Sequence, residues 1–177
     1  LFDLPTIDSE DIQGYYLSGE ERLFSVVLTN PSNGSGFEHV YVDYTIAHAT
    51  KAEIESIKYS VDGGHNWVAL GEGPGTSYEE VEGNIVGYFG KIGDGGFPIE
   101  AGGSLTTLFN VKFVNRASGE PDYPTSYDIS MSLKDADTDP DAELDSFTGT
   151  AKVYDPPTMA SSDIQGYYLT GEERAFH

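Results

Sequence analysis

The chain has 177 residues, and its 30 acidic against 9 basic side chains give a formal net charge of −21. Such a charge repels nucleic acid and anionic membrane surfaces, so neither is expected as a partner. The absence of cysteine excludes disulfide bridges and thiolate metal sites, and no apolar run approaches the roughly 20 residues of a membrane-spanning helix.

Alternation of apolar and polar residues with a period of two predicts a series of short β-strands. In chain order, the predicted strands lie near 11–17, 20–29, 39–46, 54–61, 66–70, 83–90, 106–113, 127–134 and 145–154. Turn signals such as Asn30-Pro31 separate them, and only Lys51 to Ser56 is compatible with a helical turn. This spacing predicts an all-β fold, an immunoglobulin-like Greek-key β-sandwich, with a closed barrel as the alternative.

Three of the predicted strands also indicate which side chains face the core. One face of each strand carries nearly all of its apolar residues, while the other face is polar or mixed. The predicted inward-facing residues are Val40, Val42, Tyr44 and Ile46, then Thr107, Phe109, Val111 and Phe113, and finally Tyr127, Ile129, Met131 and Leu133.

The end of the chain repeats its beginning. Residues 153–177 align with residues 1–25 at a constant offset of 152 without a gap, and 16 of the 25 pairs are identical. We therefore predict one complete repeat in residues 1–152, with residues 1–10 as a lead or connector, and the start of a further repeat in residues 153–177. The alternative is a duplication within one domain, in which the second copy is a redundant edge strand.

A repeat of this length can bury its own core, which favours separately folded units over a continuous solenoid. We expect the natural polypeptide to continue beyond both ends of this sequence. The junction between units is predicted near Asp155-Pro156-Pro157 and its counterpart Asp3-Leu4-Pro5, where proline favours an extended, semi-rigid chain.

Residues Asp11 to Phe24, here called the lead segment, are the predicted coupling element between units. The coupling residues are Asp11, Ile12, Tyr15, Tyr16 and Leu17 in the first copy, and Asp163, Ile164, Tyr167, Tyr168 and Leu169 in the second. In a covalent tandem the second copy simply continues the chain into the next unit. In separate subunits it would donate a strand to the sheet of a neighbour.

Several strings of strand and turn residues resemble a known class of repeat. Leu28-Thr29-Asn30-Pro31, Tyr59 to Trp67 and Gly87-Tyr88-Phe89-Gly90 resemble the Ig-like tandem repeats of large secreted prokaryotic surface proteins of the adhesin type. The resemblance covers most of residues 20–115. It implies an extracellular or cell-surface location and a role in an adhesin stalk, a surface layer or a filament.

The stretch Ser60 to Trp67 also looks like the Asp-box of sialidase-like propellers, whose pattern is Ser-x-Asp-x-Gly-x-Thr-Trp, with Asn66 replacing threonine. We call it the Asp-box hairpin, because Asp62 can accept hydrogen bonds from turn amides while Trp67 packs beneath the turn as part of the core. Glycosidase activity is not expected from it, because the chain has only three arginines for a sugar carboxylate: Arg22, Arg116 and Arg174.

An acidic run after the strand near 127–134 is a candidate Ca²⁺ site. Its carboxylates belong to Asp135, Asp137, Asp139 and Asp141, and the junction residue Asp155 is a further candidate ligand. Calcium takes six to eight oxygen ligands, which a loop of this kind can supply. The run does not match an EF-hand, since Pro140 replaces its glycine, and the alternative is a solvated acidic loop.

Other motifs carry less information. Asn33-Gly34-Ser35 fits the sequon for N-glycosylation at Asn33. The four histidines have no metal-ligand spacing, and no Gly-x-Ser-x-Gly nucleophile motif is present, so enzymatic activity is not expected.

The sequence thus predicts a non-enzymatic structural repeat of an extracellular stalk, sheath or filament, whose partners are copies of itself or neighbouring repeats. One alternative is an adhesin or carbohydrate-binding module that presents exposed tyrosines to a glycan or another surface ligand. The candidate tyrosines are Tyr15, Tyr16, Tyr41 and Tyr88. A second alternative is an accessory domain of a secreted hydrolase.

Overall fold

The computed structural model describes residues 3–33, 37, 39–91, 96–114, 125–137 and 141–155. All nine predicted strands are present in these residues. The strands are β1 (Thr6–Asp8), β2 (Gly14–Leu17), β3 (Glu21–Thr29), β4 (His39–Ile46), β5 (Ile54–Ser60), β6 (Val68–Ala69), β7 (Glu79–Val81), β8 (Asn84–Phe89), β9 (Phe97–Pro98), β10 (Ser104–Phe113), β11 (Thr125–Asp135) and β12 (Ala142–Tyr154).

The strands form two sheets that pack face to face. One sheet has the order β1-β3-β10-β5-β6, and the other has the order β2-β12-β11-β4-β8-β7, with β9 also paired to β4. In immunoglobulin terms, β1, β3, β10 and β5 reproduce the A-B-E-D sheet, and β12, β11 and β4 reproduce G-F-C. The hairpin of β7 and β8 extends the second sheet beyond β4. The predicted immunoglobulin-like Greek-key sandwich is therefore confirmed.

Two details of the sequence prediction need correction. Strands β1, β7 and β9 were not predicted, because each has only two or three residues, in which period-two alternation is hard to recognise; β6 is as short, but it follows the turn signal Asp62-Gly63-Gly64. The predicted helical turn at Lys51 to Ser56 is wrong, since a turn covers only residues 51–53 and β5 begins at Ile54. Among the described residues, no helix is long and apolar enough to cross a membrane.

The core lies between the sheets and is rich in aromatic side chains. All twelve residues predicted to face inward are buried. Near the middle, the ring of Phe89 has its centroid 5.0 Å from that of Tyr59 and 5.7 Å from that of Phe109. Near one end, Phe113 stacks on Tyr127 at 4.9 Å. Each such pair contributes about 0.5–1.5 kcal/mol beyond the burial of its area.

The chain enters and leaves the sandwich at opposite ends. At the leading end, Thr6 of β1 pairs with Thr29, the last residue of β3. At the trailing end, Tyr154 of β12 pairs with Leu17 of β2, just before β3 begins. The 13 residues of β12 run from one end to the other, a span of about 40 Å at about 3.3 Å per residue.

Candidate functional site

The lead segment crosses from one sheet to the other and forms an edge of the second sheet. Its strand β2 pairs in parallel with β12, with Gly14 opposite Ala151 and Leu17 opposite Tyr154. The pairing continues past the strand, because the amide of Ser18 donates to the carbonyl oxygen of Tyr154 at 2.8 Å. Alternation predicted that residues 11–17 form a strand but gave no information on its partner.

Two apolar residues of the lead segment that precede β3, Ile12 and Tyr16, are buried between the sheets. Ile12 is 2% exposed and lies against Gly149 of β12, where a β-carbon would collide with the Ile12 side chain. Tyr16 is 1% exposed, its ring packs edge-on against Phe113, and its hydroxyl donates to the carbonyl oxygen of Ile12 at 2.7 Å. Burial raises the pKa of Tyr16 to about 12, although the nearby Arg22 guanidinium acts in the opposite direction.

Arg22 fastens the crossover to β3. Its guanidinium carbon lies 5.3 Å from the centroid of the Tyr16 ring, and its Nη2 donates to the carbonyl oxygen of Asp11 at 3.1 Å. A cation over an aromatic face contributes about 0.5–2 kcal/mol, depending on its exposure. The turn between β2 and β3 contains Gly19 at a φ of 78°, a left-handed conformation that favours glycine, and its amide donates to the carbonyl oxygen of Phe113.

The remaining coupling residues predicted in the first copy, Asp11, Tyr15 and Leu17, are exposed, and the last two lie at the trailing end. Tyr15 is 70% exposed and Leu17 is 37% exposed. The ring centroid of Tyr15 lies 5.4 Å from that of Tyr154, at the point where β12 ends. The second-copy residues predicted for coupling lie outside the described residues: Asp163, Ile164, Tyr167, Tyr168 and Leu169.

The acidic residues predicted to bind calcium lie at both ends of the sandwich. Asp135 is buried at the leading end and accepts a hydrogen bond from the amide of Asp137 at 3.0 Å. Asp155 accepts a hydrogen bond from the hydroxyl of Ser18 at the trailing end, 2.9 Å away. Because β11 separates the two ends by ten residue steps, about 33 Å, Asp155 cannot share an ion with Asp135, and that part of the prediction is wrong.

The other candidate ligands already have polar partners. Asp137 lies 3.1 Å from Nδ1 of His39. Asp141 accepts hydrogen bonds from Lys91 Nζ and from the Tyr41 hydroxyl, both at 2.7 Å, and these bonds hold its pKa below the usual range. Asp139 lies outside the described residues. No group of three or more potential metal ligands occurs in the part of the chain that the structure describes, and the calcium site stays a prediction.

The tyrosines proposed for glycan binding differ in exposure. Tyr41 points to the outer face of its sheet yet is only 5% exposed, because Tyr88 packs edge-on against it and the Nζ of Lys91 lies 4.5 Å from its ring centroid. Tyr16 is buried in the core. Of the four candidates, Tyr15 alone is largely exposed. The sequence did not predict the pairing of Tyr41 with Asp141, which lies 100 positions further along the chain.

The Asp-box hairpin joins β5 to β6 as predicted, and its polar bonds are local. The Ser60 hydroxyl and the Asn66 amide both donate to Oδ1 of Asp62, at 2.7 Å and 2.9 Å. These bonds, with that from Asn66 first in importance, lower the pKa of Asp62 to about 2. Trp67 packs against Gly64 of the turn, but it is only half-buried, so the prediction that it belongs to the core is wrong.

Asn33, the predicted glycosylation site, is exposed at the leading end. Its side-chain nitrogen donates to a carboxylate oxygen of Asp3 at 3.1 Å, and its side-chain oxygen accepts from the amide of Asp3 at 3.4 Å. The other two residues of the sequon, Gly34 and Ser35, lie outside the described residues. Glycosylation stays a prediction.

Comparison with known proteins identifies similar folds only. No family model and no curated protein sequence matches the chain. The structure of AvmM, which catalyses macrocyclization in alchivemycin A biosynthesis, is 15% identical with a TM-score of 0.56, and the alignment covers 89% of this chain and 92% of that chain.

Two further solved structures have lower scores. A type I cohesin in a cohesin–dockerin complex from Clostridium thermocellum is 14% identical with a TM-score of 0.42, over 84% of this chain and 99% of that chain. The N-terminal domain of an adhesin from Streptococcus gordonii is 11% identical with a TM-score of 0.39, over 85% and 32%. At 15% identity, the likeness to AvmM is one of fold alone.

Proposed function

We propose that the chain is a non-enzymatic structural repeat of an extracellular or cell-surface stalk, sheath or filament, in which units follow one another end to end. The observation that carries this proposal is the position of the two chain ends. The chain enters beside Thr29 at the leading end and leaves beside Leu17 at the trailing end. Each added unit therefore lengthens the array.

The register of the repeat gives the length of the junction. With an offset of 152, the counterpart of Thr6 is Thr158, so only Asp155, Pro156 and Pro157 separate β12 from the predicted first strand of the next unit. Four residue steps span at most about 14 Å. A junction this short keeps neighbouring units close together.

The pairing of β2 favours a covalent tandem over strand donation. In this chain β2 already completes the sheet beside β12 of the same unit, and Ile12 and Tyr16 are buried in the core of that unit. A second copy donated to a separate subunit would find the place beside β12 already occupied by that subunit's own β2. The second copy is therefore better explained as the start of the next unit.

A tandem of this kind suits a mechanical role. Tension on the chain pulls β1 outward at the leading end and β12 outward at the trailing end, each along its own axis. The hydrogen bonds between antiparallel strands lie perpendicular to that direction. At the trailing end several bonds share the load, because the register pairs eleven residues of β11 with β12, whereas at the leading end three residues of β1 pair with β3.

The test is the shape of a two-unit protein, made by extending the 177-residue chain with its own residues 26–155 so that the second repeat is completed in register. Small-angle X-ray scattering should show a maximum dimension longer by about 40–55 Å than that of one unit. A compact particle with little gain in length would overturn the end-to-end arrangement. Intact mass of the native protein is the companion measurement, since a mass near 19.2 kDa would contradict the covalent tandem.

A further inference from the structure

An aspartate occupies the junction position in both copies of the repeat. Asp3 and Asp155 are 152 positions apart and identical, so Asp155 ends one unit and also stands where Asp3 stands in the next. Both residues lie in the described part of the chain. Their contacts therefore show which residues form hydrogen bonds with this aspartate at each end of a unit.

At the trailing end, Ser18 holds the aspartate. Its hydroxyl donates to Oδ1 of Asp155 at 2.9 Å, and its amide donates to the carbonyl oxygen of the preceding residue, Tyr154. Ser18 is fully buried, so the direction in which the chain leaves is fixed from inside the unit. Its counterpart in the second copy is Thr170, which keeps the hydroxyl donor.

At the leading end, Asn33 holds the aspartate through different atoms. The amide of Asp3 donates to the side-chain oxygen of Asn33, and the side-chain nitrogen of Asn33 donates to Oδ2 of Asp3. A carboxylate has two oxygens that accept independently. One aspartate can therefore accept from a Ser18 on one side and from an Asn33 on the other at the same time.

We infer that each junction aspartate is hydrogen-bonded by both of the units that it joins, and thereby sets the angle between them. This inference rests on the proposed tandem arrangement. In the next unit the partner is the counterpart of Asn33, supplied by a second copy of the repeat. Pro156 adds to the restraint, because a residue that precedes proline is largely confined to extended conformations.

Exposed apolar side chains at both ends are consistent with contact between units. Tyr15 and Leu17 lie beside Tyr154 at the trailing end, and Leu4, 49% exposed, follows Asp3 at the leading end, where the second copy has the apolar Pro156. An exposed apolar group near a junction gains from being covered by the neighbouring unit. Among the described residues, the trailing-end surface thus carries two of the six large exposed hydrophobic residues, and the leading-end surface of this unit carries a third.

The experiment uses the two-unit protein with one spin label on each unit, and measures the distribution of the distance between them by pulsed electron paramagnetic resonance. The parent should give a narrow distribution. Asp155→Ala should broaden it at least about twofold, because the junction then loses the carboxylate to which both units donate hydrogen bonds. Asn33→Ala in the second unit and Ser18→Ala in the first should broaden it likewise, while Ser18→Thr should leave it narrow.

The outcomes separate the inference from the proposal beneath it. If the parent is extended and the three alanine variants are as narrow as the parent, the shared aspartate is wrong and the tandem stands. If the parent is extended but gives a broad distribution, the fixed angle is wrong and the tandem stands, whereas a compact parent would contradict the end-to-end arrangement itself. Thermal melting of each variant serves as the folding control, because Asp155 is only half-buried and its replacement should leave each unit folded.

Discussion

The lead segment and the Asp-box hairpin both stand out as sequence signatures, yet they are stabilised in different ways. In the lead segment, Tyr16 packs against Phe113 and Ile12 against Gly149, which are 97 and 137 positions away along the chain. In the hairpin, the bonds of Ser60 and Asp62 join residues two to four positions apart. The first structure depends on the whole sandwich, whereas the second depends on its own turn.

The difference explains why the lead segment is repeated so closely. Several of the residues that are identical in the two copies pack inside the unit: Ile12, Tyr16, Arg22 and Phe24. Such residues must recur wherever the same sandwich is built. Tyr15 also recurs, but it is largely exposed, so its packing within the unit does not account for it. The repeated segment thus contains residues that pack inside the unit and at least one residue that faces solvent.

The largest effect is expected from the core of the lead segment. Tyr16→Ala should lower the free energy of unfolding by about 3–5 kcal/mol, because it removes a buried ring and its hydrogen bond. The matched control is Tyr15→Ala, which should cost less than about 1 kcal/mol at an exposed position. Urea denaturation measures both. Equal losses for the two variants would contradict the distinction between inward and outward tyrosines.

A smaller effect is expected at Arg22. Its replacement by alanine removes the guanidinium from the face of Tyr16 and the hydrogen bond to Asp11, for an expected loss of about 1–3 kcal/mol. Arg22→Lys should recover part of the loss, since it keeps the charge. Hydrogen exchange should show faster opening of residues 11–17 in the alanine variant. Unchanged exchange there would mean that Arg22 does not fasten the crossover.

The Asp-box hairpin should lose stability in acid, and the effect should be confined to the turn. The pKa of Asp62 is about 2 against a usual 3.8, so its contribution to stability is present above about pH 4 and is lost as the pH falls towards 2. Asp62→Ala should abolish this acid dependence and loosen the turn, while the sandwich stays folded. The amide resonance of Asn66 reports the titration. A midpoint near pH 4 would show that the turn bonds do not stabilise the carboxylate.

The smallest effect is expected from calcium. Binding to Asp135, Asp137, Asp139 and Asp141 predicts that EDTA lowers the melting temperature. Since Lys91 already neutralises Asp141, we expect a loss of about 1 kcal/mol at most, a fall of about 2–4 °C in a domain of this size. Asp137→Asn should remove the response. An unchanged melting temperature in EDTA would contradict calcium binding at these residues.

Local alternation predicted the faces of the long strands, and tertiary contacts modified the result at particular residues. Val40 and Ile46 are buried as their positions in β4 require. Tyr41, on the opposite face, is buried as well, because Lys91 and Tyr88 cover it from other parts of the sheet. Trp67 has the opposite outcome, since its turn lies at the margin of the sandwich and leaves it half-exposed.

By itself, the sequence determined nine of the strands, the inward faces of three of them and the register of the repeat, because each of these depends on residues close together or on direct identity. The tertiary structure alone decided that β2 pairs with β12 and that the chain leaves opposite to where it enters. Pairing between strands more than 130 positions apart is selected by packing across the core. A local sequence pattern contains no information about that packing. For the same reason, the contacts of Asp155 with Ser18 and of Asp3 with Asn33 appear only once the sandwich is assembled.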